Sequence, residues 1–339
     1  MRIIHVSNFG EKHDGRLFWN HCFKISNGFI RNGHSVYNFS DRDISRSSLL
    51  SKFNSYAYVG LKLIRLCKNF NPDLIVLGHA DRISIETLEN IKSINKDVKI
   101  IEWNIDNYFL DNTEQKLKNR SHVVDGFFTH NADENLRSCL NRNFIAFFPN
   151  IFDLSIERLK IFNLSDHSYD IFSAISHGVG TGKLRRKKSL AENKNERVET
   201  LNSIINKCVG TKCDFYGLNY VQPIWASQFE SIIKKSYMGL CVQRKPFLKY
   251  GVSDRFAQYQ GNGMMTFLPK QTQLKDLFQD RKDVVYFNDN DELHELINYY
   301  TKNKDEALNI AQSGWQKGHK LYNEKIITQY FIDLVFNKK

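Results

Sequence analysis

The segment VSDRFAQYQGNG, residues 252–263, concentrates residue types that can hold an anion. Ser253 and Asp254 favour the N-cap of a helix, and Arg255 then falls in its first turn, where unpaired backbone N–H groups and the helix dipole attract negative charge. A diphosphate suits that position, and the Arg255 guanidinium can add a bidentate, charge-assisted contact. Gln258 lies one turn further on, and Gly261, Asn262 and Gly263 close the segment. The same spacing also describes a capped surface helix with an exposed arginine. A second anion-binding candidate is the loop SHGVGTGKLRRKKSLAENKNER, residues 176–197. There Gly178, Gly180 and Gly182 permit close backbone approach, while Thr181, Lys183, Arg185 and Arg186 supply donors and charge. No Gly-Lys-Ser/Thr completes a P-loop, which disfavours ATP hydrolysis, and a solvated charge run is the plainer alternative. Arg197 opens the next helix, and Tyr216 and Gly217 end the strand after it, adding to the donor-side candidates.

For proton transfer the chain offers His13 and Asp14, in the first loop beside Asn8, Gly15 and Arg16. Asp14 leads as the base that takes a proton from a hydroxyl, and His13 can orient the hydroxyl-bearing substrate. A turn stabilised by Asp14 and Gly15 is the alternative reading. His79 and Asp81 follow the strand DLIVLG and rank behind them. Two acidic pairs, Asp41 with Asp43 and Asp289 with Asp291, have the form of divalent-metal ligands. Asp41 with Asp43 follows a strand, and Asp289 with Asp291 suits a helix cap, so both pairs read as solvated turn residues and no metal site is assigned.

These groups are positioned by a repeated grammar. MRIIHVS reads as a strand, LFWNHCFKISNGFIRNG as a helix closed by a left-handed Gly33, and HSVYNFS as the next strand. Helix and strand then alternate through DLIVLG and VKIIEWN to VDGFFTH and FIAFFPN, which specifies a parallel sheet covered on both faces. The first domain ends near residue 150. The second restarts with YDIFSAIS and continues through KCDFYG, YMGLCVQ, MMTFLP and VVYF to a long helical tail from Glu292. The fold class expected is α/β, two doubly wound Rossmann-like domains facing across a cleft. Residues 1–150 form the first, 151–322 the second, and 323–339 a helix crossing back, with FDLSIERLKIFNL as the hinge. In such sheets ligands collect outside the carboxyl ends of the strands.

Composition narrows the class of function. At 339 residues the chain exceeds one ordinary core. No signal peptide is visible, and no window approaches the roughly 18 apolar residues of a membrane span, so a cytoplasmic protein is expected. Six scattered cysteines read as reduced thiols, not as a zinc framework. The net charge of +11 suits phosphate-bearing substrates, nucleic acid or an anionic membrane. Nucleic acid lacks any recognisable docking motif and is not assigned. Lys52, Lys62, Arg65 and Lys68, among apolar residues in SSLLSKFNSYAYVGLKLIRLCKNF, allow either peripheral contact with an anionic membrane or an ordinary amphipathic helix on the sheet.

The stretch from Phe229 to Tyr300 resembles the C-terminal domain of group 1 glycosyltransferases of the GT-B type, and within them the spore-maturation-protein-like branch. The resemblance implies that Ser253, Asp254, Arg255, Gly261 and Gly263 lie at the donor phosphates or shape the donor pocket, while Gln258 can hydrogen-bond a sugar hydroxyl or a phosphate. Three shorter stretches point the same way. FFPNIFD resembles the proline-asparagine turn that ends the first domain, and MRIIHVSNFGEKHDGR the first strand and glycine-bearing loop. IIEWNIDNYF resembles the strand and loop presenting a catalytic or acceptor-facing residue, here Asn104 or Asp106, which makes Asp106 the rival of Asp14 as base. Asn8, Gly15, Arg16, His79 and Asn104 are the corresponding acceptor-binding candidates. One departure stands out: the paired glutamates of many retaining members are replaced by Gly251 and Gln258. The implied activity is metal-independent transfer from a nucleotide sugar, a substrate and not a cofactor, to a glycan or lipid-linked acceptor, in lipopolysaccharide or capsule assembly. A nucleotide-sugar epimerase of the same fold and a non-catalytic glycan-binding scaffold are the alternatives.

Overall fold

The computed structural model describes residues 1–47, 54–106, 113–132, 144–175, 196–219, 221–243 and 247–336. The chain divides into two compact units, Met1–Ile151 with Tyr322–Lys339, and Phe152–Leu321. Each is built on one parallel sheet.

The first sheet contains β1 (Arg2–Ser7), β2 (Ser35–Ser40), β3 (Leu74–Gly78), β4 (Lys99–Asn104), β5 (Gly126–Thr129) and β6 (Phe144–Phe147), in the order β2-β1-β3-β4-β5-β6. The central strand β3, LIVLG, is apolar and buried throughout because both faces are covered, whereas the edge strand β2, SVYNFS, is largely exposed. Alternate residues serve opposite cores: Ile4, Ile75 and Leu77 join one cluster, while Ile3, Leu74 and Val76 join the other. The described helices are α1 (His21–Arg31), α2 (Asp41–Ile44), α3 (Ser55–Phe70), α4 (Ile85–Ile94) and α5 (Thr113–Arg120). Asn54 caps α3 by accepting the Ala57 N–H, and Ser84 caps α4 by accepting that of Thr87. Gly33, past the end of α1, has φ +83, the left-handed value its position after the helix requires.

The second sheet contains β7 (Tyr169–Ala174), β8 (Cys213–Tyr216), β9 (Ser236–Leu240), β10 (Met265–Pro269) and β11 (Val285–Phe287), in the order β11-β10-β9-β7-β8. Its described helices are α6 (Glu196–Lys207), α7 (Gln228–Ile233), α8 (Arg255–Gly261), α9 (Asn290–Lys302) and α10 (Lys304–Leu321). Leu201, Ile204, Leu293, Ile297 and Ala311 bury against Met238, Leu240, Phe267 and Val285. The supposed hinge belongs to this unit from Phe152 on: Phe152 is fully buried, edge-on to Phe256 and His319.

The helical tail divides into three helices. Asn303 ends α9, its Nδ2 donating to the Tyr299 carbonyl. Asn323 starts the last helix, α11 (Glu324–Phe336), its Oδ1 accepting the Ile326 N–H. Helix α11 packs on α1, where Gly28 lets the backbones meet: a Cβ there would stand 2.2 Å from the Glu324 carbonyl oxygen. Phe331 stacks on Phe128 at 4.0 Å.

Candidate functional site

In the second unit the chain leaves β7 toward β8 on one side and returns to β9 on the other, so the carboxyl ends of β7 and β9 mark the topological switch point. Arg255 lies there. Its Nη2 donates to the Val242 carbonyl at 2.7 Å, and its guanidinium lies beside the buried Cys241 thiol, whose pKa burial raises. Arg255 is half-buried rather than exposed, and it makes no ion pair with a carboxylate among the described residues. Gln243, which the sequence did not single out, braces the turn: its Oε1 accepts the Ser253 N–H and its Nε2 donates to the Cys241 carbonyl. Next to it, a cavity of about 340 Å³ opens at the ends of β9, β10 and β11. Phe247, Pro269 and Phe287 give it apolar walls, and Arg197, Thr200 and Asn288 polar ones, with the carboxylates of Glu196, Glu199 and Asp289 also in the lining. Such a mixture suits a nucleoside.

The expected side-chain cap on α8 is not formed. Asp254 holds the N-cap position, but its backbone is already helical, with φ −51 and ψ −26, whereas a capping side chain needs an extended residue. Gln258 is buried on α8. Gly261, Asn262 and Gly263 face the connector of their own unit. A Cβ on Gly261 would stand 2.9 Å from Glu157, and Gly263, at φ +83, backs onto Phe162. Asn262 accepts the Leu159 N–H and donates to the Gln258 carbonyl. Gly217 has φ +71 and closes on the end of β7, where a Cβ would stand 1.7 Å from the Ile175 carbonyl oxygen. Tyr216 precedes it, bonded to Asp214, on the opposite side of β7 from the cavity. Gly178, Gly180, Thr181, Lys183 and Arg185 lie outside the described residues. Asp289 caps α9, accepting from the Asp291 and Glu292 N–H groups.

In the first unit the switch point falls between β1 and β3. The loop after β1 holds Asn8, whose Oδ1 is buried with no hydrogen-bond partner among the described residues, and a short 3-10 turn, Glu11–His13. Asp43 fixes this turn by accepting the Glu11 and Lys12 N–H groups, while Asp41 accepts that of Arg82. Asp14 ends the turn in the left-handed region at φ +50, exposed like Gly15 and Arg16, and His13 is half-buried. At the end of β3, His79 has φ +58 and its Nδ1 stands 3.4 Å from Asp106 Oδ2. Asn104 sits behind that pair, its Oδ1 accepting the Asp106 N–H at 2.6 Å, and Asn131 Nδ2 donates to the Asp106 carbonyl. Asp81 pairs instead with Arg42.

Two parallel-sheet, Rossmann-like units in one chain, each with ligand-suited residues at its switch point, define the GT-B class of fold. Residues 188–331 match the family model described as "Glycosyl transferase-like". Among solved structures, HepE of Anabaena in complex with UDP and glucose aligns over 100% of both chains at TM-score 0.59 and 10% identity. Sucrose-phosphate synthase from Thermosynechococcus elongatus aligns over 98% of both, at 0.60 and 10%. A putative UDP-N-acetylglucosamine 2-epimerase from Listeria monocytogenes aligns over 100% of this chain and 97% of its own, at 0.53 and 11%. No curated protein matches by sequence.

Proposed function

We propose that this protein is a glycosyltransferase of the spore-maturation-protein-like branch, moving a sugar from a nucleotide-sugar donor to a glycan or lipid-linked acceptor in bacterial surface polysaccharide assembly. The observation that carries the proposal is Arg255: a half-buried guanidinium at the switch point of the second unit, in no ion pair with a carboxylate of the described residues, beside a cavity of nucleoside size. A guanidinium keeps its charge and two-pronged donor geometry, which fits a phosphate. The UDP and glucose bound by HepE fit the same reading. Transfer is proposed to need no metal, because Asp41, Asp43 and Asp289 hold backbone N–H groups. Contact with an anionic leaflet through α3 is part of the proposal. That helix carries exposed Lys62, Arg65 and Lys68 with Leu61, and no acidic residue. Among the described residues no helix is long and apolar enough to cross a membrane.

The test is a thermal-shift series with UDP, GDP, CMP and their sugars at millimolar concentration, followed by nucleotide release with and without glycan acceptors. A ligand present at 100 times its dissociation constant should add about 2.7 kcal/mol of stability. Release stimulated by an acceptor supports transfer, whereas acceptor-independent consumption of the donor points to an epimerase. Absence of any nucleotide effect removes the proposal.

A further inference from the structure

We propose that the cavity at the ends of β9, β10 and β11 selects guanine, so that the donor is a GDP-sugar; this rests on the glycosyltransferase reading above. The cavity has two chemically different ends. Val242 and Gln243, after β9, lie at one, where Arg255 donates to the Val242 carbonyl and Gln243 holds the Ser253 turn. Asn288, Asp289 and Asn290, after β11, lie at the other, and Thr200 of α6 joins them by donating to Asn290 Oδ1. Strand β10 separates β9 from β11, so the two ends are two strand spacings or roughly 10 Å apart, the span of a nucleoside. The diphosphate belongs with the Arg255 cation, which leaves the base to the β11 end, against the apolar side chains of Phe247 and Phe287.

What that end offers a ligand follows from the hydrogen bonds already made there. The Asn288 N–H and Nδ2 both donate to Glu292, Gln271 Nε2 donates to the Asn288 carbonyl, and the Thr200 hydroxyl donates to Asn290. These donors are engaged within the protein. Acceptors are in excess: the Glu199 carboxylate makes no hydrogen bond or ion pair among the described residues, and Asp289 uses its Oδ1 alone for the N–H groups of Asp291 and Glu292. The lining carries the carboxylates of Glu196, Glu199 and Asp289 against the guanidinium of the buried Arg197, so its balance is negative. A base seated there must donate. Guanine does so twice from adjacent atoms, because N1–H and the 2-amino group form a fork that matches the two oxygens of a carboxylate. Uracil presents one N–H between two carbonyls, and a carbonyl would meet a carboxylate oxygen. Cytosine and adenine each set an amino group beside a bare ring nitrogen, with the same result. Glu199, the carboxylate with no protein partner among the described residues, takes the guanine edge.

The probes are GDP, inosine diphosphate, UDP and CDP, titrated by calorimetry at one salt concentration. GDP should bind roughly 10- to 100-fold more tightly than UDP or CDP, the discrimination that a two-bond pairing provides. Inosine diphosphate keeps the N1–H of guanine and lacks its amino group, so its affinity should fall between. In Glu199→Gln an amide with one acceptor oxygen replaces the fork, so GDP should drop to within about threefold of inosine diphosphate while UDP and CDP hold or gain affinity. A carboxylate serving the ribose hydroxyls instead would weaken all four nucleotides alike in that variant, and this result overturns the base assignment. So does binding of UDP or CDP as tight as that of GDP, and in both cases the glycosyltransferase reading stands. If none of the four binds the wild type, that reading fails, and guanine selection with it.

Discussion

Arg255 and His5 show how one side chain's surroundings set its chemistry. The Arg255 guanidinium donates to a backbone carbonyl and forms no ion pair with a carboxylate of the described residues, which suits it to an anion. A charge-assisted hydrogen bond contributes about 1.5–3 kcal/mol, so Arg255→Ala should weaken nucleotide binding roughly 10- to 100-fold in calorimetry. Arg255→Lys should recover part of this, since a point charge replaces the fork, and neither change should alter the far-ultraviolet circular dichroism. His5 is the opposite case. It is fully buried, accepts from Trp103 at Nε2 and has Ser26 Oγ 2.8 Å from Nδ1, and burial pushes its pKa from 6.5 down to about 3. Between those values the unfolded chain binds a proton that the folded chain refuses, so this residue makes stability fall as pH drops from 6.5 toward 3. Relative to His5→Gln, which cannot titrate, the wild-type advantage in urea unfolding should shrink by about 2 kcal/mol between pH 7.5 and pH 5.

At the scale of elements, the contact between α1 and α11 depends on an absent side chain. Gly28→Ala gains about 1 kcal/mol of helix propensity, but its methyl would stand 2.2 Å from the Glu324 carbonyl oxygen and 2.6 Å from Thr328 Oγ1. Overpacking of this kind costs about 1–3 kcal/mol, so the overlap should win and the variant should unfold at lower denaturant. An unchanged or raised midpoint would show that α11 shifts freely. At the same contact the half-exposed Arg31 pairs with the buried Glu324 carboxylate, so Arg31→Ala, which leaves that carboxylate without this partner, should also lower stability, by about 1–3 kcal/mol.

At the scale of the molecule, the first unit is discontinuous in sequence. Ile327, Phe331 and Val335 are buried in its core with Phe29, Phe128 and Phe148. Removing them exposes several large apolar side chains at about 1.5–3 kcal/mol each, comparable to the whole stability of a domain. A chain ending at Leu321 should therefore lose hydrogen-exchange protection throughout Met1–Ile151. Phe152–Leu321, with a core of its own, should stay protected. Uniform loss in both units would show that they fold as one.

All eleven described strands, their parallel arrangement and the α/β class were legible in the sequence, because apolar runs and their punctuation act over a few residues at a time. So was Arg255 as a cation beside a helix start, since composition and spacing within one segment carry that information. The tertiary structure alone brought His79 to Asp106, because the two lie on neighbouring strands and only strand order makes them adjacent. It also set Gln243 under the Ser253 turn and turned Gly261 and Gly263 toward Glu157 and Phe162. The tail likewise divides into three helices at Asn303, whose Nδ2 joins its own N–H on the Tyr299 carbonyl, and at Asn323, whose Oδ1 accepts the Ile326 N–H. Local pattern decides what each segment becomes; which polar group meets which is decided by the packing of segments far apart in the chain, and that carries no local signature.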